Sequence, residues 1–284
     1  MSQEPAARRL SDFVEVLGSE KRIRAILFDM DGVVYNAETP IPGAAETVSW
    51  LRERQVPHQF LTNTSSTGRA PLVQKLARFG IPADEAMIMS PPAAAADWLR
   101  AQGDGPVALI VKKTAHAEFY GLEILPEDAE SGARYVVVGD MEEQWDFRTI
   151  NRAFRLLHSA PDAQLIALGM TRYWQGPTGL QLDVAPFIAM LECAVQRKAV
   201  VFGKPGAAFF QAALNKLGVE KPREALMVGD DIEVDVDGAQ QAGLHGALVK
   251  TGKFRDSDLD RPVRPYLILD SIADLPAWWR KHCE

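Results

Sequence analysis

Cysteine is nearly absent: Cys193 and Cys283 are the only two in 284 residues. That excludes a disulfide framework and makes a reducing compartment, the cytoplasm, the expected location. Positive charge is scarce as well. Lysine and arginine number 31 against 38 aspartates and glutamates, a formal net charge of −7, and no basic cluster offsets that balance, so a nucleic-acid platform is excluded. Apolar runs stop at strand length, broken by Gly, Pro or charge, so no membrane span or membrane partner is expected. The first 22 residues lack the continuous apolar core of a signal peptide. No Gly-x-Gly-x-x-Gly follows the first apolar run, which argues against a dinucleotide oxidoreductase. No Cys/His spacing supplies a zinc site, and His116 and His158 read as surface or helix residues.

What is present begins with Ala25–Ile26–Leu27–Phe28, followed at once by Asp29–Met30–Asp31–Gly32. The apolar run suits a central parallel strand, and ligands in open α/β sheets gather at the carboxyl ends of such strands. Two carboxylates delivered there, two positions apart, suggest phosphoryl chemistry, with Asp29 as nucleophile and Asp31 as its acid/base partner. An Asp after a strand also caps turns, so this pair alone leaves both readings open. Three more apolar runs end in polar groups. After Gln59–Leu61 come Thr62, Asn63, Thr64, Ser65 and Ser66, a hydroxyl-rich turn before a predicted helix, able to hold phosphate oxygens. After Val200–Phe202 comes Gly203–Lys204–Pro205, one fixed cation. After Leu226–Val228 come Gly229, Asp230 and Asp231, with Asp235 five residues beyond Asp230. The added carboxylates would repel Asp29 and Asp31 unless a hard divalent cation, Mg²⁺ by preference, lay between them.

The ordered set Asp29-x-Asp31-Gly32, Thr62-Asn63, Lys204-Pro205 and Gly229-Asp230-Asp231-x-x-x-Asp235 resembles the four motifs of the haloacid dehalogenase (HAD) superfamily. The resemblance implies that Asp29 attacks phosphorus and forms an aspartyl-phosphate. It implies that Asp31 protonates the leaving oxygen and then activates water, that Thr62 and the Asn63 backbone hold the phosphoryl group, and that Lys204 neutralises Asp29 and the phosphate. Asp29, the Asp31 carbonyl and Asp230 would ligate Mg²⁺, with Asp235 behind them or reaching the ion through water. Physics supports such roles, since a carboxylate is a weak nucleophile and the approach of one anion to another must be screened. Asp231 stands where many members have Asn, and reads as the cap of the following helix. The expected activity is a Mg²⁺-dependent phosphatase acting on a small phosphorylated metabolite or phosphoanhydride. A phosphotransferase, in which an acceptor hydroxyl replaces water, and an idle regulatory or scaffold protein are the alternatives.

The order of elements divides the chain. Strand and helix alternate from Arg24 to about Ser90, with Ala25–Phe28, Gln59–Leu61 and Ala86–Met89 as strands and Ala44–Arg54 and Arg69–Phe79 as helices. The last third resumes the rhythm with strands Ala199–Phe202, Ala225–Val228, Ala247–Val249 and Tyr266–Leu269 and helices Ala207–Leu217 and Val234–Ala242. Between Thr62 and Lys204 lie 141 residues, more than a crossover needs, so a domain of roughly 100 residues is expected there. Within it Val107–Val111, Tyr135–Val138 and Leu165–Leu168 read as strands, and Phe147–His158 and Phe187–Gln196 as helices. The expected architecture is α/β: a Rossmann-like parallel-sheet core formed by residues 23–91 and 199–284, with an inserted α/β cap at 92–198. The position of the insert resembles the C2 cap of the superfamily's subfamily IIA, the NagD-like branch. Asn151–Leu157, Arg172–Tyr173, Gly238–Gln240 and Val249–Arg255 resemble the group that holds phospholysine phosphohistidine inorganic pyrophosphate phosphatase and haloacid dehalogenase-like hydrolase domain-containing protein 2. The segment Arg172–Gly179 is the candidate substrate loop of the cap, with Arg172 as a substrate contact. In the extension 1–22, Leu10, Phe13, Val14 and Leu17 have near-helical spacing, which suits a docked helix or the subunit contact of a homodimer.

Overall fold

The structure, a computed structural model, describes residues 23–103, 105–176 and 179–284. The helix or subunit contact expected of residues 1–22 lies outside the described residues. The first half contains β1 (Ala25–Asp29), a small hairpin of β2 (Tyr35–Asn36) and β3 (Thr39–Pro40), α1 (Ala44–Glu53), β4 (His58–Leu61), α2 (Arg69–Arg78), β5 (Ile88–Met89), α3 (Pro91–Gln102), β6 (Val107–Ile110), β7 (Tyr135–Val138) and α4 (Phe147–His158). There follow β8 (Gln164–Ala167), β9 (Tyr173–Gly176), β10 (Gly179–Leu182), α5 (Val184–Val195), β11 (Val200–Val201), α6 (Ala207–Leu217), β12 (Ala225–Gly229), α7 (Gly238–Gln241), β13 (His245–Val249), β14 (Leu267–Leu269) and α8 (Leu275–His282).

Six strands form the large sheet in the order β14-β13-β12-β1-β4-β5, every pair parallel. β1 is central because it can be buried on both faces. Its side chains alternate, so Ile26 and Phe28 join a core with α1, α2 and α8, while Ala25 and Leu27 face a second core containing α3 and α6. All four are fully buried. The order runs outward in both directions from β1, so the carboxyl ends of β1, β4 and β12 form a crevice where Asp29, Thr62 and Asp230 emerge together.

A second parallel sheet, β11-β8-β7-β6, lies on the far side of α3. Val107, Leu109, Tyr135 and Val137 share one apolar cluster with α3, α6 and β1, and Trp98 of α3 meets Tyr135 and Phe202 at ring separations of 5.9 and 5.7 Å. The opposite face of this sheet packs on α4 and α5. Pro91 and Pro92 occupy the first turn of α3, where a missing N–H costs nothing, and Ser90 Oγ caps that turn.

Four elements differ from the expectations of the sequence. Val200–Val201 pairs with Ile166 and Ala167, so this strand completes the second sheet and not the core sheet; a two-residue apolar strand does not encode which edge it joins. The helix expected at Val234–Ala242 is a π-helical turn over Ile232–Asp237 that runs into α7. Val236 N donates to Asp231 O at 3.2 Å, the wide i to i−5 bond. Much of Ala86–Met89 is a 3₁₀ turn, and only Ile88–Met89 pairs as a strand. The expected Arg172–Gly179 loop is a hairpin instead, β9 pairing antiparallel with β10, and its alternating exposed Tyr173, Leu180 and Leu182 fit strand period better than loop.

Candidate active site

Asp29 ends β1, and its Oδ1 lies 2.6 Å from Lys204 Nζ. Asp235, aimed inward by the π-helical turn, brings Oδ1 to 2.7 Å from the same ammonium, so Lys204 is paired with both carboxylates. Its Oδ2 accepts from Asp231 N. Asp231 Oδ1 accepts from Glu233 N and Val234 N, and is therefore the helix cap expected. Lys204, Asp230 and Asp235 are all at least 97% buried.

The loop carrying Lys204 is held from across the site. Asn63 Nδ2 donates to Lys204 O and Asn63 Oδ1 accepts from Lys204 N, each at 2.8 Å. This two-sided clamp is made by the Asn63 side chain, whereas the motif resemblance implies a role for its backbone. Thr62 Oγ1 is 2.9 Å from Thr64 Oγ1 and accepts from Thr64 N at 3.1 Å, so the two hydroxyls share one turn at the mouth of the crevice. Asp31 is exposed, its Oδ1 accepting from Ala37 N at 3.1 Å, and its side chain stands apart from the buried carboxylates. Arg172 is not brought to this cluster: its guanidinium lies over Tyr173, 5.8 Å from the ring centroid, and it forms no ion pair among the described residues.

Asp29, Asp230 and Asp235 each offer an oxygen within 4.8 Å of the others. Three buried carboxylates with one ammonium leave net negative charge in a low dielectric. Burial, reinforced by Asp29 and Asp235, pushes the Asp230 carboxyl up to about 8. Burial lifts Asp235 to about 6, with Lys204 opposing and Asp29 adding to the rise. Burial acts to lower the Lys204 pKa, but Asp235 and Asp29 outweigh it and hold the ammonium above its ordinary range. Asp230 Oδ2 accepts from Lys253 N at 2.6 Å, whereas Oδ1 is buried with no hydrogen-bond partner. An orphaned carboxylate oxygen among other hard oxygens is what a Mg²⁺ ion would satisfy, so the residues fit that ion. Gly32 and Gly252 press on Asp230: a Cβ at either would fall 2.1 Å from Oδ2, and both have positive φ, 86° and 62°.

Residues 26–124 match a profile of haloacid dehalogenase-like hydrolases, and residues 201–275 match a HAD-hydrolase-like profile. Phospholysine phosphohistidine inorganic pyrophosphate phosphatase of Xenopus laevis is 38% identical over 245 residues, covering 84% of this chain and 88% of the relative. The chain belongs to the haloacid dehalogenase-like hydrolases. Its fold is similar to that of a p-nitrophenyl phosphatase from Archaeoglobus fulgidus, with a TM-score of 0.83 and 27% identity over 91% of this chain and all of that one. NagD from E. coli K-12 aligns with a TM-score of 0.78 and 27% identity over 89% of this chain and 98% of that one. Family, NagD-like branch and parallel-sheet core with a C2-type cap are thus as the motifs implied.

Within this HAD hydrolase two contributors carried no sequence signal: the Asn63 side-chain clamp and the Lys253 N–H on Asp230.

Proposed function

We propose that the chain is a Mg²⁺-dependent phosphatase that hydrolyses a small phosphate ester or phosphoanhydride through an aspartyl-phosphate on Asp29. The observation that carries this reading is the buried Asp29–Lys204–Asp235 arrangement, with contacts of 2.6 and 2.7 Å, beside the orphaned Asp230 oxygen. Asp29, Asp230 and the Asp31 carbonyl would hold Mg²⁺, with Asp235 bound to Lys204 behind them. When bound, the ion supplies positive charge that screens the phosphoryl oxygens from the carboxylates.

Lys204 fixes one oxygen of Asp29 and leaves the other to attack phosphorus in line with the leaving group. As the bond to the leaving oxygen breaks, Asp31 delivers a proton to that oxygen. Its exposed position and single backbone hydrogen bond leave one carboxyl oxygen to carry the proton. Water then attacks the phosphorus of the aspartyl-phosphate, Asp31 takes the proton from that water, and cleavage of the Asp29–phosphorus link releases phosphate and restores Asp29. The Thr62–Thr64 turn and backbone N–H groups behind it bind the phosphoryl oxygens during both steps.

The inserted segment, residues 92–198 with its sheet completed by Val200–Val201, is proposed to select the leaving group, since every residue of the proposed chemistry lies outside it. The names of the relatives make N-phosphorylated amino acids, inorganic pyrophosphate and p-nitrophenyl phosphate the first substrates to test. Among the described residues no helix is long and apolar enough to cross a membrane. Cys193 and Cys283 are not joined in a disulfide, which fits the proposed reducing cytoplasm. The deciding experiment is phosphate release by purified Asp29→Asn with Mg²⁺. The amide keeps the shape but cannot form the covalent link, so turnover should fall on the order of 10⁴-fold or more with an unchanged melting temperature. Release near that of the wild type would overturn the mechanism.

A further inference from the structure

The turn that binds the phosphoryl group in the proposed function begins at Thr62–Thr64 and runs on to Thr67, leading directly into α2, whose first turn has no side-chain cap of its own: Gly68 occupies the N-cap position. The missing acceptor comes from 49 residues away in the inserted segment. Glu118 Oε1 accepts from Arg69 N at 2.6 Å, and Oε2 takes Arg69 Nε at 3.0 Å and Nη2 at 2.9 Å. The carboxylate is buried, with its side chain 5% exposed, and the Arg69 side chain is 20% exposed. This geometry is a two-pronged, charge-assisted grip on both the backbone and the side chain of one residue.

The neighbouring bonds follow the same direction. Gly68 N donates to Thr114 O at 3.0 Å, Thr114 Oγ1 donates to Ser66 O, and Asp140 N donates to Ser65 Oγ at 3.1 Å. A Cβ on Gly68 would lie 3.2 Å from Glu118 Oε1 and 3.5 Å from Thr114 O, so the approach is close. From Ser65 to Arg69 the turn is therefore fastened to the inserted segment, while Asn63 at its start is fastened to the Lys204 loop. The phosphate-binding turn spans the two layers, and its conformation depends on both.

We propose that Glu118, a cap residue outside all four motifs, is a positioning residue for phosphoryl binding, acting through Arg69 and the N-terminus of α2 on the Thr62–Thr67 turn. Glu118 holds the turn in the shape that receives phosphate, so its loss weakens affinity for the phosphoryl group in every substrate, whatever the leaving group. This inference rests on the phosphatase reading above.

The test uses the full chain with Mg²⁺, p-nitrophenyl phosphate as substrate and inorganic phosphate as competing ligand. Glu118→Gln keeps one acceptor and loses the charge. It should raise KM and the inhibition constant of phosphate together, about tenfold, with kcat within about threefold of the wild type. Glu118→Ala should move both further in the same direction. Thr114→Val, at an exposed position, removes only the Thr114 Oγ1 bond to Ser66 O and should give the same paired change at about two- to fourfold. It serves as the variant of record if the Glu118 substitutions do not fold. A fall in melting temperature with unchanged KM and phosphate inhibition would overturn the proposal and leave Glu118 as structural glue. So would a fall in kcat alone. If the wild type releases no phosphate, the phosphatase reading has failed by itself, and calorimetric titration of inorganic phosphate then decides the proposal. Weaker binding by the Gln and Val variants supports it, and equal or absent binding in all three proteins overturns it.

Discussion

Replacing Lys204 with Met should unfold the site before it affects anything else. The ammonium is buried between Asp29 and Asp235 at 2.6 and 2.7 Å. Each contact has a Coulomb attraction of about 6 kcal/mol at an effective dielectric of 20. Burying the three charges costs much of that gain, so the gross sum is not the stability contributed. What the substitution exposes is the cost of leaving two carboxylates buried and facing each other, about 3–5 kcal/mol when one partner of a buried pair is removed. At about 2–4 °C per kcal/mol for a chain of this size, the melting temperature should fall by roughly 6–20 °C. The pH dependence has a definite sign. In the wild type the Lys204 pKa is raised in the folded state, so its contribution is fully present below the unfolded value near 10.5 and is lost only as pH rises above that. In the Met variant Lys204 no longer opposes the rise at Asp235, so that carboxyl moves up from its wild-type value of about 6 and binds protons more readily folded than unfolded, and the deficit should shrink as pH falls, beginning above that value. Thermal and urea unfolding in chelator at several pH values measures this, alongside Asp235→Asn and the double variant. The double variant should recover part of the loss, because the coupled charges have then been removed together. A Met variant as stable as the wild type at neutral pH, or a deficit that grows in acid, would refute the reasoning.

Three further outcomes are expected. Asp230 and Asp235 are raised to about 8 and about 6 in the folded protein; a raised carboxylate pKa means that the folded state binds more protons, so the metal-free protein should lose stability as pH climbs from about 4 to about 8. Added Mg²⁺ replaces those protons and should raise the melting temperature more at pH about 8 than at about 5, while chelation abolishes turnover; a shift independent of pH, or full activity in chelator, contradicts the cation site. Asn63→Ala deletes both bonds to the Lys204 backbone and should cost about 1–3 kcal/mol of stability and lower kcat/KM about 10- to 100-fold, which steady-state kinetics would show to be absent if the clamp is decorative. Arg172→Ala and Trp174→Ala should each reorder a panel of phosphate esters without abolishing hydrolysis of p-nitrophenyl phosphate, and an unchanged ranking would place specificity elsewhere in the insert.

The carboxylates proposed as catalytic could be placed from the sequence because each follows an apolar run that must be a buried strand, and a buried strand in a parallel sheet delivers its next residue to one edge. Asp29 ends β1 and Asp230 directly follows β12, and Lys204 reaches the same crevice from its loop. Helices with one clean apolar face, Phe147–His158 and Ala207–Leu217, have the expected bounds. What stayed hidden depends on partners distant in sequence. Nothing local to Val200–Val201 says that its neighbour is β8, and nothing local to Glu118 or Asn63 says that each will bond a backbone 49 or 141 residues away. The wide turn at Ile232–Asp237 was invisible for a related reason: a helical period differs little from a π-helical one over six residues, and the partner that Asp235 meets from this turn, Lys204, is distant in sequence.

The Asn63 clamp has a consequence for how the chain acquires activity. It joins two loops separated by 141 positions, with the entire second sheet emerging between them. Closing so long a connection carries a high entropic cost until the intervening segment has itself become compact. The first half therefore leaves the ribosome holding Asp29, the proposed nucleophile, and the proposed phosphate turn but no lysine to fix Asp29, and the site is complete only when the last third docks. Under the proposed chemistry, assembly of this enzyme is then its own safeguard, since partly folded chains hold Asp29 without the lysine that fixes it in position.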